Sequence, residues 1–205
     1  MSYTDPIAFI VDDDEAVRDS LALLLKASGL ASRCYSSAED FLANFDQSEY
    51  GCLVLDIRMP GMGGLELQSV LQQRNIALPI IFITAHGDIP MAVEAVRHGA
   101  VDFIQKPFDD QTLVTKVSEA LNASTHQHEE ELERNEVRRR VESLTARERQ
   151  VMTQVVQGKA NKVIASDLGV SQRTVEIHRS RVMEKMQAAS LAQLVRMVLI
   201  AEADI

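Results

Sequence analysis

The apolar positions of the chain keep two different rhythms. Through the first 125 residues, short apolar runs alternate with stretches of helical period. Ile7–Val11, Cys52–Leu55 and Pro79–Thr84 read as buried strands, and Ala31–Tyr35 and Val101–Ile104 as shorter ones. Val17, Leu21, Leu24 and Leu25 mark one face of a helix that opens near Asp14 and stops at Gly29. Further helices are predicted over Ala38–Phe45, Leu65–Gln73, Met91–His98 and Gln111–Asn122. Strand then helix, repeated five times, predicts an α/β fold: a parallel sheet with helices on both faces.

From residue 143 onward only helical patterns remain. Thr145-Ala-Arg-Glu148 is a capping box, and its helix should run to Gln157 and stop at Gly158. A second helix spans Lys162–Leu168 and stops at Gly169. Ser171 caps a third through about Met186, and Ser190-Leu-Ala-Gln193 is another capping box opening a fourth. Short helix, three-residue turn and longer helix is the helix-turn-helix arrangement. Between the two regions, Asp109–Gln157 holds neither Gly nor Pro, and His126–Ser143 is mostly charge, with i,i+4 pairs available at Glu130–Arg134 and Glu136–Arg140. This predicts a helical connector with sparse apolar contacts at Leu132, Val137 and Val141; a solvated charged helix that only spaces the domains is the plainer alternative. The expected division is 1–122, a helical linker 123–142, and 143–205.

Composition narrows the class. Hydrophobic residues make up 46% of the 205, which excludes wholesale disorder; aromatics are 4% with no Trp, so the cores should be aliphatic. No run approaches about 18 apolar residues, and no basic-then-apolar leader is visible, so neither a membrane span nor a secretory signal is expected. Cys34 and Cys52 lie too far apart for metal or redox spacing, and a reduced, cytoplasmic location is the default. The net charge of −9 is unevenly spread: −10 over 1–125, −2 over 126–142 and +3 over 143–205. An acidic front and a mildly basic back suggest two units with different partners.

Asp12, Asp13 and Asp14 follow the first strand, Asp56 follows the third, Thr84 ends the fourth and Lys106 follows the fifth. In a parallel sheet these are carboxyl ends of strands, where such folds place their sites. Each alone has a plain reading: a strand-end Asp is more often a cap, and Lys106-Pro107 is a serviceable turn. Together they offer oxygen ligands for a hard cation such as Mg²⁺, a carboxylate nucleophile at Asp56, and a hydroxyl and an ammonium for phosphoryl oxygens.

Val11-Asp-Asp-Asp14, Leu55-Asp-Ile-Arg-Met-Pro60, Ile83-Thr-Ala85 and Phe103-Ile-Gln-Lys-Pro107 resemble the receiver domain of two-component response regulators. Leu144-Thr-Ala-Arg-Glu148, Gly158, Asn161-Lys162, Ile164-Ala165 and Thr174-Val175-Glu-Ile-His178 resemble the LuxR/FixJ-type DNA-binding domain, and Ala85-His-Gly-Asp-Ile-Pro-Met91 is closest to the FixJ branch. The resemblance covers nearly the whole chain. It implies a flavodoxin-like, doubly wound five-stranded receiver that accepts phosphate on Asp56 from a sensor histidine kinase, with at most slow autodephosphorylation. Asp13, Asp56 and the Arg58 backbone carbonyl would ligate Mg²⁺, with Asp12 acting through water. Thr84 and Lys106 would contact the phosphoryl group, Phe103 would be the switch residue, acting by packing alone, and Lys106–Pro107 would be cis. Dimerisation on phosphorylation, near the helix at Met91–His98 and the fifth strand, is expected, with RNA polymerase as a further partner.

On the third helix of the back region, Val175, His178, Val182 and Met186 share one face, able to pack on Val151, Val155, Ile164 and Leu168; His178 is expected to be packed and hydrogen-bonded rather than a ligand. Arg173, Glu176, Ile177, Ser180 and Glu184 point the other way. In a major groove Ile177 could meet a thymine methyl, Glu176 a cytosine amino group, and Arg173 or Arg181 a guanine or a phosphate. Lys159, Asn161, Lys162 and Arg179 are placed for phosphates, and Thr174 belongs to the same surface. A single exposed Ile is also common without meaning. Leu191, Leu194, Val195, Val198 and Leu199 give the fourth helix a broad apolar face; the family dimerises on it, and a purely internal role competes. The predicted function is therefore a phosphorylation-switched transcriptional regulator of double-stranded promoter DNA. Two rivals remain: a phosphorylation-independent DNA binder whose front domain only dimerises, and a hydrolase with an aspartyl-phosphate intermediate, which would want an Asp where Arg58 stands.

Overall fold

The computed structural model describes residues 5–85, 93 and 95–202. They divide between His128 and Glu129 into two compact units. The first contains β1 (Ile7–Val11), α1 (Glu15–Ala27), β2 (Ser32–Tyr35), α2 (Ala38–Asn44), β3 (Gly51–Asp56), α3 (Gly64–Gln73), β4 (Ile80–Thr84) and β5 (Asp102–Gln105). All strand pairs are parallel, in the order β2-β1-β3-β4-β5, so each crossover must carry the chain over a face of the sheet. Of the predicted helix over Met91–His98, positions 91, 92 and 94 lie outside the described residues; residues 93 and 95–97 are helical.

Alternation along the strands builds two cores. Phe9, Val11, Leu53, Leu55 and Phe82 pack with Phe41 of α2 and Leu67 and Leu71 of α3. Ala8, Ile10, Cys52, Val54, Ile81 and Ile83 face the other way, onto Leu21 and Leu25 of α1 and Leu113 and Val117 of the last helix. Cys52 is buried there, which pushes its thiol up to about 12, whereas Cys34 on β2 is exposed. The expectation of aliphatic cores needs correction on the first face: Phe9, Tyr35, Phe41 and Phe45 form an aromatic cluster with ring centroids 5.0–6.4 Å apart. Few aromatics in a sequence do not prevent their being gathered.

Helix α4 (Asp110–Glu142) merges the predicted last helix of the first unit with the connector into 33 continuous residues. Asp109 accepts from the Thr112 amide and hydroxyl at its start, and Glu136 pairs with Arg139 and Arg140 near its end. Of the three expected apolar contacts, Val137 is buried and Val141 packs beside it, whereas Leu132 is exposed.

The second unit holds α5 (Ala146–Val156), α6 (Asn161–Leu168), α7 (Gln172–Met186) and α8 (Leu191–Glu202). Thr145 and Glu148 form the capping box, Gly169 ends α6 with left-handed geometry, and Ser171 caps α7. The box at α8 forms only in half. Ser190 accepts from the Gln193 amide, but the Gln193 side chain reaches past the cap to the Ala189 amide. Val151, Val155, Ile164, Val175, Val182, Met186 and Leu194 form a wholly aliphatic core closed by Val137. His178 packs as expected but not hydrogen-bonded on its inner side: its Nδ1 is buried without a partner among the described residues.

Candidate functional site

Register decides what meets at the carboxyl edge of the sheet. Val11 pairs with Leu55, so Asp12 follows level with Asp56. Asp56 pairs with Ile83, which sets Thr84 one residue beyond, and Thr84 pairs with Gln105, after which comes Lys106. Asp12, Asp56 and Thr84 are buried, Asp13 is exposed and Lys106 is half-buried.

The Lys106 ammonium donates to Asp12 Oδ2 at 2.7 Å and stands 3.8 Å from Asp56 Oδ1. Asp12 Oδ1 accepts from the Asp14 amide at 2.9 Å, and Asp56 Oδ2 accepts from the Arg58 amide at 3.1 Å. Burial raises the Asp56 carboxyl above its ordinary range; Lys106 pulls it back, and Asp12 and Asp13 push it up again. This carboxylate is thus partly desolvated, crowded by like charges and balanced by one ammonium. Among the described residues no three His, Cys, Asp or Glu side chains form a ready-made metal cage.

The backbone around Asp56 is tight. A Cβ on Gly64 would lie 2.3 Å from the Asp56 carbonyl oxygen, so the start of α3 can close on β3 only without a side chain there. Lys106–Pro107 is cis, as the resemblance implies. Phe103 is half-buried and packs against the core of the α2–α3 face. Beside Lys106 a groove of about 350 Å³ is lined by Val17, Ser20, Leu21, Leu24 and Phe108. Two residues no motif marks also touch this edge: Arg18 donates to the Asp12 carbonyl at 2.8 Å, and Glu39 accepts from the Met62 amide at 3.0 Å. The only sequence signal for the second was Gly61, whose φ of 76° brings the chain close to Glu39.

In the second unit, α7 buries Val175, Val182 and Met186 and exposes Arg173, Glu176, Ile177, Ser180 and Arg181, with Ile177 47% exposed. Thr174 lies at the margin, its hydroxyl bonded to that of Ser171. Lys162 is exposed. Lys159 is engaged by Asp167 at 2.8 Å and Gln154 at 3.3 Å, and Arg179 donates to Asn161 at 2.8 Å, so these three meet a phosphate only by sharing or releasing internal partners.

Comparison with known proteins agrees with both halves. Residues 8–118 match the response regulator receiver domain, and residues 142–198 match the bacterial regulatory proteins of the luxR family. The chain is 50% identical to the transcriptional regulatory protein FixJ of Azorhizobium caulinodans over 192 residues, 94% of this chain and 91% of that one. To FixJ of Rhizobium meliloti it is 48% identical over 196 residues, 96% of each. Among solved structures, the response regulator StyR superposes with a TM-score of 0.89 at 41% identity, over 95% of this chain and 98% of that one. A receiver domain implies a kinase partner, and a LuxR-type domain implies DNA binding. No described helix is long and apolar enough to cross a membrane. With the two domain families matched in this order, and relatives aligned along nearly their full length, the chain belongs to the two-component response regulators that join a receiver domain to a LuxR-type DNA-binding domain and regulate transcription.

Proposed function

We propose that Asp56 of this cytoplasmic protein accepts a phosphoryl group from the phosphohistidine of a sensor histidine kinase, and that the resulting acyl phosphate sets how the second unit engages promoter DNA. The observation that carries this reading is the meeting of Asp56 with Lys106, Thr84 and two further carboxylates at one sheet edge. In the transfer an Asp56 oxygen attacks phosphorus, an O–P bond forms as the N–P bond breaks, and the imidazole leaves with the electron pair and takes up a proton. Lys106 is within reach of the transferred oxygens, and the Thr84 hydroxyl is a second donor for them. The groove beside Lys106 offers an apolar seat next to the incoming phosphohistidine.

The donor chemistry fits Mg²⁺: oxygen atoms only, with carboxylates in excess of cations around Asp56. Asp13, Asp56 and the Arg58 carbonyl would hold it, with Asp12 acting through water. Mg²⁺ keeps several waters, so no cage of three side chains is needed. When bound it supplies positive charge to the phosphoryl oxygens. Phe103, lacking a hydroxyl, relays the change by repacking.

Phosphorylation then favours a homodimer through the surface that includes Val96 and Val101, both exposed. On α8, Leu194, Met197 and Val198 face the core while Leu191 and Leu199 are exposed in line with half-buried Val195, a stripe suited to pairing on DNA. Arg173, Thr174, Glu176, Ile177, Ser180 and Arg181 read the major groove, and Lys159, Asn161, Lys162 and Arg179 hold phosphates. Residues 1–122 act as receiver, 123–142 as linker and 143–205 as DNA reader, with RNA polymerase contacted from the bound dimer. Any loss of phosphate by the protein itself is slow.

Asp56→Asn tests the reading. With acetyl phosphate or phosphoramidate as donor, the variant should lose both covalent labelling and phosphate-dependent DNA affinity; retention of either overturns the mechanism. Identical wild-type footprints with and without donor would favour a receiver that only dimerises.

A further inference from the structure

The loop from Ile57 to Gly63 carries Arg58, the proposed carbonyl ligand. Its inner edge is fixed by the Gly64 amide donating to the Ile57 carbonyl at 2.9 Å, by the Arg58 amide on Asp56, and by buried Met59. Its outer edge is tied from another element. Glu39, in the first turn of α2, accepts from the Met62 backbone amide at 3.0 Å. Gly61 makes room for that tie: at φ 76° a Cβ would lie 2.8 Å from Glu39 Oε1, displacing the carboxylate as well as straining the backbone. Helix α2 is a firm base, since Ser37 caps it and Phe41 is fully buried in the aromatic cluster. The Met62 amide also holds the Glu39 carboxyl below its ordinary range, so the bond favours the charged side chain.

We infer that Glu39 is a positioning residue for the acceptor loop, strapping it to α2 so that the Arg58 carbonyl stays aimed at the cation site. The inference rests on the reading of the Asp56 site given above. Without the strap, the stretch from Met59 to Gly63 keeps its inner ties but gains freedom at its outer edge, and the carbonyl loses preorganisation. Outer partners of this kind tune metal affinity without touching the ion.

The test uses the full-length chain, titrated with Mg²⁺ by calorimetry and melted in parallel. Glu39→Ala should weaken Mg²⁺ binding about fivefold. Glu39→Gln, whose amide oxygen still accepts from the Met62 amide but without the charge, should bind Mg²⁺ more tightly than Glu39→Ala and less tightly than wild type, and both should melt as wild type does. Unchanged affinity in Glu39→Ala overturns the inference. So does equal weakening in both variants, because that would assign the effect to charge rather than to the strap. Mg²⁺ uptake that Asp56→Asn leaves unchanged overturns the reading of the site itself, and the strap's role with it.

Discussion

Glu148 shows how much one side chain can bind together. It is buried, closes the capping box by accepting from the Thr145 amide at 2.9 Å, and takes the Lys185 ammonium at 2.8 Å. Lys185 and the Thr145 amide lower its carboxyl to about 2. A folded value below the unfolded one means a contribution fully present above about pH 4.5 and lost as pH falls towards 2. With the ion pair discounted for solvent, the second unit should lose about 1–2 kcal/mol across that window. Glu148→Gln should lower stability at neutral pH and flatten the acid dependence. Urea unfolding between pH 2 and 7 checks this, and an unaltered pH slope in the variant would show that the carboxylate is not responsible.

Among the elements, α4 is the most telling, because its last turns belong to the DNA-binding core. Val137 is 3% exposed among Val151, Val175 and Leu194. Arg140 donates to the Met186 carbonyl, Arg149 to those of Glu142 and Leu144, and Lys185 to that of Ser143. Val137→Ala should therefore cost about 1–3 kcal/mol, whereas Leu132→Ala, at an exposed site, should stay within about 0.5 kcal/mol. Denaturant midpoints of the two variants decide it; equal effects would mean that the connector is not part of that core. The continuity of α4 was legible from the lack of Gly and Pro over Asp109–Gln157, and the caps at Thr145 and Ser171 from residues a few positions apart. Strand ends were legible to within one residue, because apolar runs and turn residues are local signals. The choice of Val137 over Leu132 was not, since it depends on which surface the helix meets. The same holds for Glu39 with Met62, 23 residues away, for Lys159 with Asp167, and for Lys106 standing closer to Asp12 than to Asp56. Residue types announced the site; tertiary packing alone set its pairings.

For the whole molecule, charge frames the problem of switching. The first unit carries −10 and the second +1. On the proposed reading, phosphorylation adds negative charge to the more acidic unit, so the expected gain in DNA affinity comes from doubled contacts rather than from attraction. The slope of log K against log salt should accordingly become about twice as steep on phosphorylation, as two recognition helices replace one. Filter binding or anisotropy across a salt series measures it, and a steeper affinity with an unchanged slope would argue against dimeric engagement. The two thiols add a practical corollary. Cys34 is exposed on β2, although partial burial also raises its thiol above the ordinary value, while Cys52 is sealed inside β3, so an alkylating reagent should take the first well before the second, which reacts only when the sheet opens. The receiver thereby carries its own clock for global opening, one that mass spectrometry can time in the presence and absence of the phosphoryl donor.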